Sequence, residues 1–354
     1  MLSTTERRGL SLARGFIVLI MPAVHTTLLY STTEVKQGLI GFLLGFLAEQ
    51  PGAQLFMFLM GVFIAYGRKK TFNEVVQRVF YLFIAAYVLN FMRLVLPYYL
   101  GWLPTEFLSS NKVVIDQFTS IRLLLTGDIL QLAAISYFIC QCFMRVKGQR
   151  FALLSVVLLL VFLSPLSWQL QATDILLQLP LALFNGLPPT TFFPVFPWLC
   201  YSMAGMLVGL CWQNYSAAIK NIIWIISSAL MMITGFVLIC FEPVDWTTNF
   251  YRLGPGGTLI HLGAVLVWIA LFVWAAQKKP DAIFFHFLNW LSKHITIIYF
   301  TQWILIMWLL PVFGFEQLSF ISTLSAILLS STMSFLIPAL YQKFIHPRKS
   351  VAHE

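Results

Sequence analysis

Ten apolar runs, each about as long as the hydrocarbon core of a bilayer is thick, constrain this chain more than any other feature. A spanning helix needs about 20 mostly apolar residues. Runs of that kind fall near 11–30, 50–67, 73–96, 120–144, 150–170, 193–213, 219–241, 256–276, 287–310 and 318–344. A shorter run from Val35 to Ala48, with Gly38, Gly41 and Gly45, is too short to span comfortably and reads as a re-entrant or interfacial helix. Hydrophobic residues make up 59% of the chain and charged residues 10%. A soluble domain is about 45–50% apolar and about 25% charged. One soluble domain of 354 residues could not hide that much apolar surface. The expected fold class is therefore all-α: a polytopic membrane helix bundle of ten transmembrane helices, forming a single domain over residues 1–354. This excludes a disordered chain, a nucleic-acid-binding module and a small disulfide-stapled fold. The first run is too long for the apolar core of a signal peptide, and no small-residue cleavage site follows it. The five cysteines lie in apolar runs without metal-ligand spacing and read as reduced packing residues, so no metal is expected.

The charges orient such a bundle. With ten spans, 17 of the 22 Lys and Arg residues fall on one side, with only Glu6, Glu74, Asp281 and Glu354 among the acids. That side carries +13, and the remainder of the chain carries −4. The positive-inside rule then places both termini in the cytoplasm. Basic residues on that side include Arg7, Arg8, Arg68, Lys69, Lys70, Arg145, Arg348 and Lys349. Two longer outer loops, about 97–119 and 171–192, are placed to cover a site.

Few ionisable residues remain inside the spans, where each costs a few kcal/mol to insert. They are Arg14 and His25 in the first span, Arg93 in the third, Arg122 and Asp128 in the fourth, His261 in the eighth, and Lys293 and His294 in the ninth. Glu49 stands at the outer mouth of the second span, with Gln54 behind it. Arg14 and His25 carry the most information. Eleven helical steps bring them to the same face, about 16 Å apart along the axis. A guanidinium suits a phosphate, since it stays charged and binds in a bidentate way. An imidazole suits proton abstraction near neutral pH. A donor with a phosphate-bearing head and a long arm fits between them. The plainer reading is that Arg14 reaches the headgroups and His25 bonds a neighbouring carbonyl.

The stretch from Arg14-Gly15 to Ala23-Val24-His25 resembles the Arg-x10-His signature of integral-membrane acyltransferases of the acyltransferase-3 type. Its Arg-Gly start is similar to the heparan-α-glucosaminide N-acetyltransferase-like branch of that superfamily. Further segments resemble the same families: Gln54 to Gly61 followed by Arg68-Lys69-Lys70, then Gly127-Asp128-Ile129-Leu130-Gln131, then Phe193-Pro194-Val195-Phe196-Pro197-Trp198 with Gly205 and Gly209. Leu291 to Ile304 looks like the penultimate span, with Thr301-Gln302 near where a His is common. The resemblance implies transfer of an acetyl or other short acyl group from cytoplasmic acyl-CoA to a glycan or other envelope acceptor on the outer side. It implies the plasma membrane, the inner membrane of a bacterium, as the location. His25 would be the catalytic histidine, as base or transient acyl carrier, and Arg14 would help hold the donor. Arg68, Lys69 and Lys70 would contact CoA phosphates, or would simply set topology.

Acyl transfer needs a base, charge stabilisation for an oxyanion, and exclusion of water from the thioester. Asp128 or Glu49 can orient the His25 imidazole; the rival role for Asp128 is an ion pair with Arg93 or Arg122. Gln131 can donate to an oxyanion or bond across helices. Glu49, Gln131, Arg93 and His261 are thus candidates for the acceptor or oxyanion side. His261 follows Gly254-Pro255-Gly256-Gly257, whose amides at a helix start favour an anion, though such a cluster more often makes a tight turn. Gly205-x3-Gly209 and Gly41-x3-Gly45 read as close-packing contacts. The competing class is a multi-pass transporter or flippase for a small polar or glycolipid solute, which would use the same buried charges as a path. The lack of a convincing internal repeat weighs against it. Oligomeric state is not legible.

Overall fold

The computed structural model describes residues 2–172, 174–212, 217–279 and 282–345. Arg348, Lys349, Glu354 and Asp281, counted above toward the basic side, lie outside the described residues. The described chain is helical, and its only β-type pairings are two isolated bridges. In chain order the principal helices are α1 (Thr4–Tyr30), α2 (Leu39–Tyr66), α3 (Phe72–Tyr99), α4 (Ile129–Phe143), α5 (Gln149–Ser167), α6 (Val195–Trp212), α7 (Ala217–Ile239), α8 (Pro255–Lys278), α9 (Ile283–Lys293), α10 (Ile295–Trp308) and α11 (Phe320–Ile345). Among the described residues, eight helices are long and apolar enough to cross a membrane, and α4 and α10 are shorter apolar helices. The protein is an integral, multi-pass membrane protein.

The first span starts at Thr4 rather than near 11, and three others are extended or broken for a local reason. The second begins at Leu39, not near 50, because the run read as re-entrant continues into it through a π-helical turn at Ala48–Gly52. The fourth is broken. Helix Thr119–Leu125 stops, and Asp128, in extended backbone, starts α4 as its N-cap. The Asp128 carboxylate accepts from the Ile129 amide (2.7 Å), and Gln131 Oε1 accepts from the Asp128 amide (3.0 Å). Such a reciprocal cap satisfies donors that a helix start would otherwise strand in an apolar medium. The ninth is broken at His294, between α9 and α10.

Between membrane helices there is little hydrophobic driving force, so close contact of small residues carries the packing. The α2–α6 pair shows this most directly. A methyl group on Gly61 would fall 1.9 Å from the Ser202 carbonyl oxygen, and one on Gly205 would fall 1.9 Å from that of Phe58. Gly205 and Gly209 are therefore packing glycines, as expected. Gly41 is also a close contact, though with the preceding turn, since a methyl there would fall 2.1 Å from the Lys36 carbonyl oxygen; Gly45 is not, since one there meets nothing within 4 Å. At Gly15 the carbonyl of Leu288 lies 2.0 Å from a methyl position, so the residue after Arg14 must be glycine for α9 to seat. Helix α1 is central and packs against α2, α8, α9, α10 and α11. α7 and α11 instead turn most of their apolar surface outward, toward lipid.

The loops gather at two ends. At one, Arg145 donates to the Lys70 carbonyl (2.7 Å), joining the turn after α4 to the turn after α2. At the other, Phe192 donates to the Gly127 carbonyl (2.8 Å) and Leu318 to the Tyr30 carbonyl (2.7 Å), which draws the breaks and longer loops together.

Candidate functional site

A cavity of about 720 Å³ opens among α1, α2, α3, α4 and α10. Ile17, Ile20, Met21, Val24, His25 and Leu28 give it one continuous face of α1. The two longer loops, about 97–119 and 171–192, contribute Phe107, Ser110, Asn111, Pro188 and Phe192 to its lining. His25 is on its wall, and the imidazole Nδ1 is buried without a hydrogen-bond partner. Trp303 lies against the ring, with centroids 4.2 Å apart and planes tilted by 30°. Gln302 also interacts with the imidazole. Its Nε2 lies 2.6 Å from Met21 Sδ, and its Oε1 is buried and unpartnered.

Charge enters the cavity through two π-helical turns, which are frequent at functional sites. One, Phe91–Val95, carries Arg93; the other, Ala48–Gly52, carries Glu49. Both residues line the cavity, as does Asp128. Arg93 Nη2 is 2.5 Å from Asp128 Oδ2, and both side chains are almost fully buried. Asn90 Oδ1 accepts from Arg93 Nη2 at 2.9 Å, and its Nδ2 donates to the carbonyls of Leu124 and Thr126 at 2.9 and 2.7 Å. Tyr299 donates to Asp128 Oδ2 at 3.3 Å. The Arg93 guanidinium also lies 4.8 Å from the Trp303 ring centroid. The ion pair is thus hydrogen-bonded on its remaining sides, the condition for holding charge in a low dielectric. It settles the partner of Asp128, for Arg122 pairs with Asp116 on the exposed loop instead. The Asp128 carboxylate is taken by Arg93, Tyr299 and its own cap, beside His25 rather than bonded to Nδ1.

Other sequence candidates lie away from this wall. Arg14 shares the His25 face but sits below the cavity, where its Nε donates to Ser292 (2.8 Å) and its guanidinium lies 5.3 Å from the Phe63 ring centroid. Arg68 pairs with Glu74 on the surface, and Lys69 and Lys70 follow it in the turn after α2. The Gln131 amide is spent locally, Oε1 on the Asp128 amide and Nε2 on the Thr126 carbonyl (3.1 Å). His261 is buried with Nδ1 2.8 Å from Gln54 Nε2. The glycine-rich start of α8 does hold an anion, but it is the chain's own: Gly256 donates to Glu242 Oε1 at 2.6 Å. Burial pushes the Glu242 carboxyl above its ordinary range, and the Gly256 bond opposes that. All five cysteines are free, but Cys240 is exposed rather than packed.

Sequence reading notes Ile298-Tyr299 in the penultimate span but gives Tyr299 no site role, and it passes over Trp303. Tyr299 and Trp303 are four apart and so share a helix face. The aromatic richness of every span hid them; the signal available was that Gln302, a polar residue, adjoins that face.

No curated protein and no solved structure matches this chain. One family does: heparan-α-glucosaminide N-acetyltransferase, catalytic, over residues 8–236. The chain belongs to that family. The matched stretch contains Arg14, His25, Glu49, Arg93 and Asp128, so the α1, α2, α3 and α4 walls of the cavity lie within it, whereas α10 lies beyond. Membership supports membrane acetyltransferase activity, on a bundle with a cavity lined by a histidine whose Nδ1 has no hydrogen-bond partner.

Proposed function

We propose that the protein transfers an acetyl group from acetyl-CoA, presented on the cytoplasmic side, to an amine or hydroxyl of a glycan-type acceptor on the outer side, with His25 as the reacting histidine. The observation that carries this reading is the unpartnered Nδ1 of His25 on the cavity wall, in register with Arg14 on one helix face. As a base, His25 takes the acceptor's proton while the acceptor nitrogen or oxygen attacks the thioester carbonyl. The carbon–sulfur bond breaks, and the CoA thiolate leaves and receives the proton. Arg93, on the same wall, supplies positive charge beside the developing oxyanion. Asp128 holds Arg93 in place, and Glu49, which also lines the cavity, faces the acceptor.

The positive-inside bias supports the sidedness. It puts Arg68, Lys69, Lys70 and Arg145 in the cytoplasm and the loops around the cavity outside. Arg14 then marks the donor's route from the basic end toward His25, about 16 Å away along α1. The location proposed is a plasma membrane, the inner membrane of a bacterium. The test is transfer of radiolabelled acetyl from acetyl-CoA by purified protein in lipid vesicles. Wild type should transfer label and His25→Ala should not. Undiminished transfer by His25→Ala would remove His25 from the chemistry, and solute uptake without covalent change would favour a transporter.

A further inference from the structure

We infer that the acceptor is a membrane-borne amphiphile, whose polar head reaches His25 and whose apolar tail occupies the cavity, admitted from the bilayer past residues 39–48. This rests on the acetyl-transfer reading and names its acceptor class. The cavity's polar groups include the cluster of His25, Arg93, Asp128 and Tyr299, the pair Lys36–Glu316, 2.6 Å apart, and single residues such as Glu49 and Thr296. Other parts of the wall are apolar, including Leu28, Leu44, Phe56, Met57 and Met60. A free sugar has hydroxyls on every edge and would leave some of them unpaired against such walls, at a cost in affinity. An alkyl tail has no such cost. Leu28 is 50% exposed although α1 packs against five other helices, and it lines the cavity. An apolar surface of that kind needs an apolar occupant.

The wall toward the bilayer is one helix thick. Residues 39–47 carry no polar side chain, and not one of them is buried. Leu39, Phe42, Leu43 and Phe46 are exposed, while Gly41, Leu44, Gly45 and Ala48 line the cavity. At Gly45 a side chain would meet open space. Small residues on the inner face and bulky apolar ones on the outer face leave room for a tail inside the bundle. No charge or hydrogen-bonding side chain bars the way from lipid along 39–47.

The experiment uses the full chain in phosphatidylcholine vesicles with labelled acetyl-CoA, comparing dodecyl glucosaminide with free glucosamine. The dodecyl acceptor should be acetylated at least tenfold faster at equal bulk concentration. Its rate should fall as lipid is added at fixed bulk acceptor, because the concentration that matters is that within the bilayer. Gly45→Trp should cut this rate at least tenfold, with the melting temperature reporting on the fold; Leu28→Trp fills the same cavity from α1 should the first variant not fold. Equal rates for both acceptors, unaffected by added lipid, would overturn the amphiphile and leave acetyl transfer standing. If neither acceptor is acetylated, a photoreactive dodecyl glucosaminide decides. Labelling of the α1 peptide containing His25, lost in Gly45→Trp, supports the tail site while the transfer reading fails. Absence of that labelling overturns the site.

Discussion

His25 and His261 both lie within helices of this bundle, and the regions around them are finished differently. The His261 imidazole has a partner, since Gln54 Nε2 meets its Nδ1, and Glu242 Oε1 takes the amide at the glycine-rich start of the same helix. Around His25 the Arg93–Asp128 pair is equally well satisfied, but the imidazole Nδ1, buried in the cavity wall, is left without a hydrogen-bond partner. A buried polar atom without a partner costs free energy. A structure that tolerates one beside a cavity has kept it available for something else. The comparison teaches that depth in the membrane does not mark a functional histidine; the unspent bond does.

The largest effect that could break this contrast is on activity. His25→Ala should lower acetyl transfer by about 10²–10⁴-fold, the usual contribution of a general base, while the melting temperature stays near that of wild type. His261→Ala should retain transfer in its folded fraction, and loss of transfer in that variant instead would reverse the assignment. Next comes the support of the His25 region. Asp128→Asn keeps an N-cap but leaves the Arg93 charge buried and unpaired, which should destabilise by about 3–5 kcal/mol. Thermal unfolding in detergent measures it, and adding Arg93→Gln should restore most of the loss. On the other side of the comparison, Gln54→Leu strands His261 Nδ1 and should cost about 1–3 kcal/mol, read from the same unfolding curves with transfer retained.

The smallest effect depends on pH. Glu242 in the folded chain holds its proton more tightly than in the unfolded chain, because burial disfavours its charge. That contribution is present below the ordinary carboxylate value of 4.5 and is lost as pH rises through the raised folded value. Glu242→Gln lacks the titration. The wild-type melting temperature should therefore fall relative to the variant's as pH rises across that window, and a constant difference would show that the site does not titrate.

Much of the fold is legible in the sequence. Apolar run length fixes helix count, since hydrocarbon forces each crossing to satisfy its own backbone. The Arg14–His25 register is equally local, because eleven helical steps return a residue to its face. What run length misses is where an apolar stretch breaks. Apolar content alone gives no stop at Asp128 in 120–144; the local signal is Gly127-Asp128 with Gln131 three residues on, a capping pattern that an apolar-run reading overlooks. That one break moves Asp128 from a span interior to a helix start and delivers it to Arg93. The same holds for the run at 35–48, where Gly41 lies tight against Lys36 but Gly45 meets open space.

The sequence by itself determined a ten-segment membrane bundle, the charge bias of its loops, and the one helix face that carries both Arg14 and His25. These follow from periodicity and solvation, which act along the chain. Only the tertiary structure decided which buried polar atoms are spent and which are free. Asp128 goes to Arg93, Gln131 to its own cap, His261 to Gln54 and Glu242 to Gly256. His25 alone among the sequence's histidine candidates keeps an unpartnered nitrogen at a cavity. Hydrogen-bond partners come from segments distant in sequence, so their assignment waits on the packing that brings those segments together.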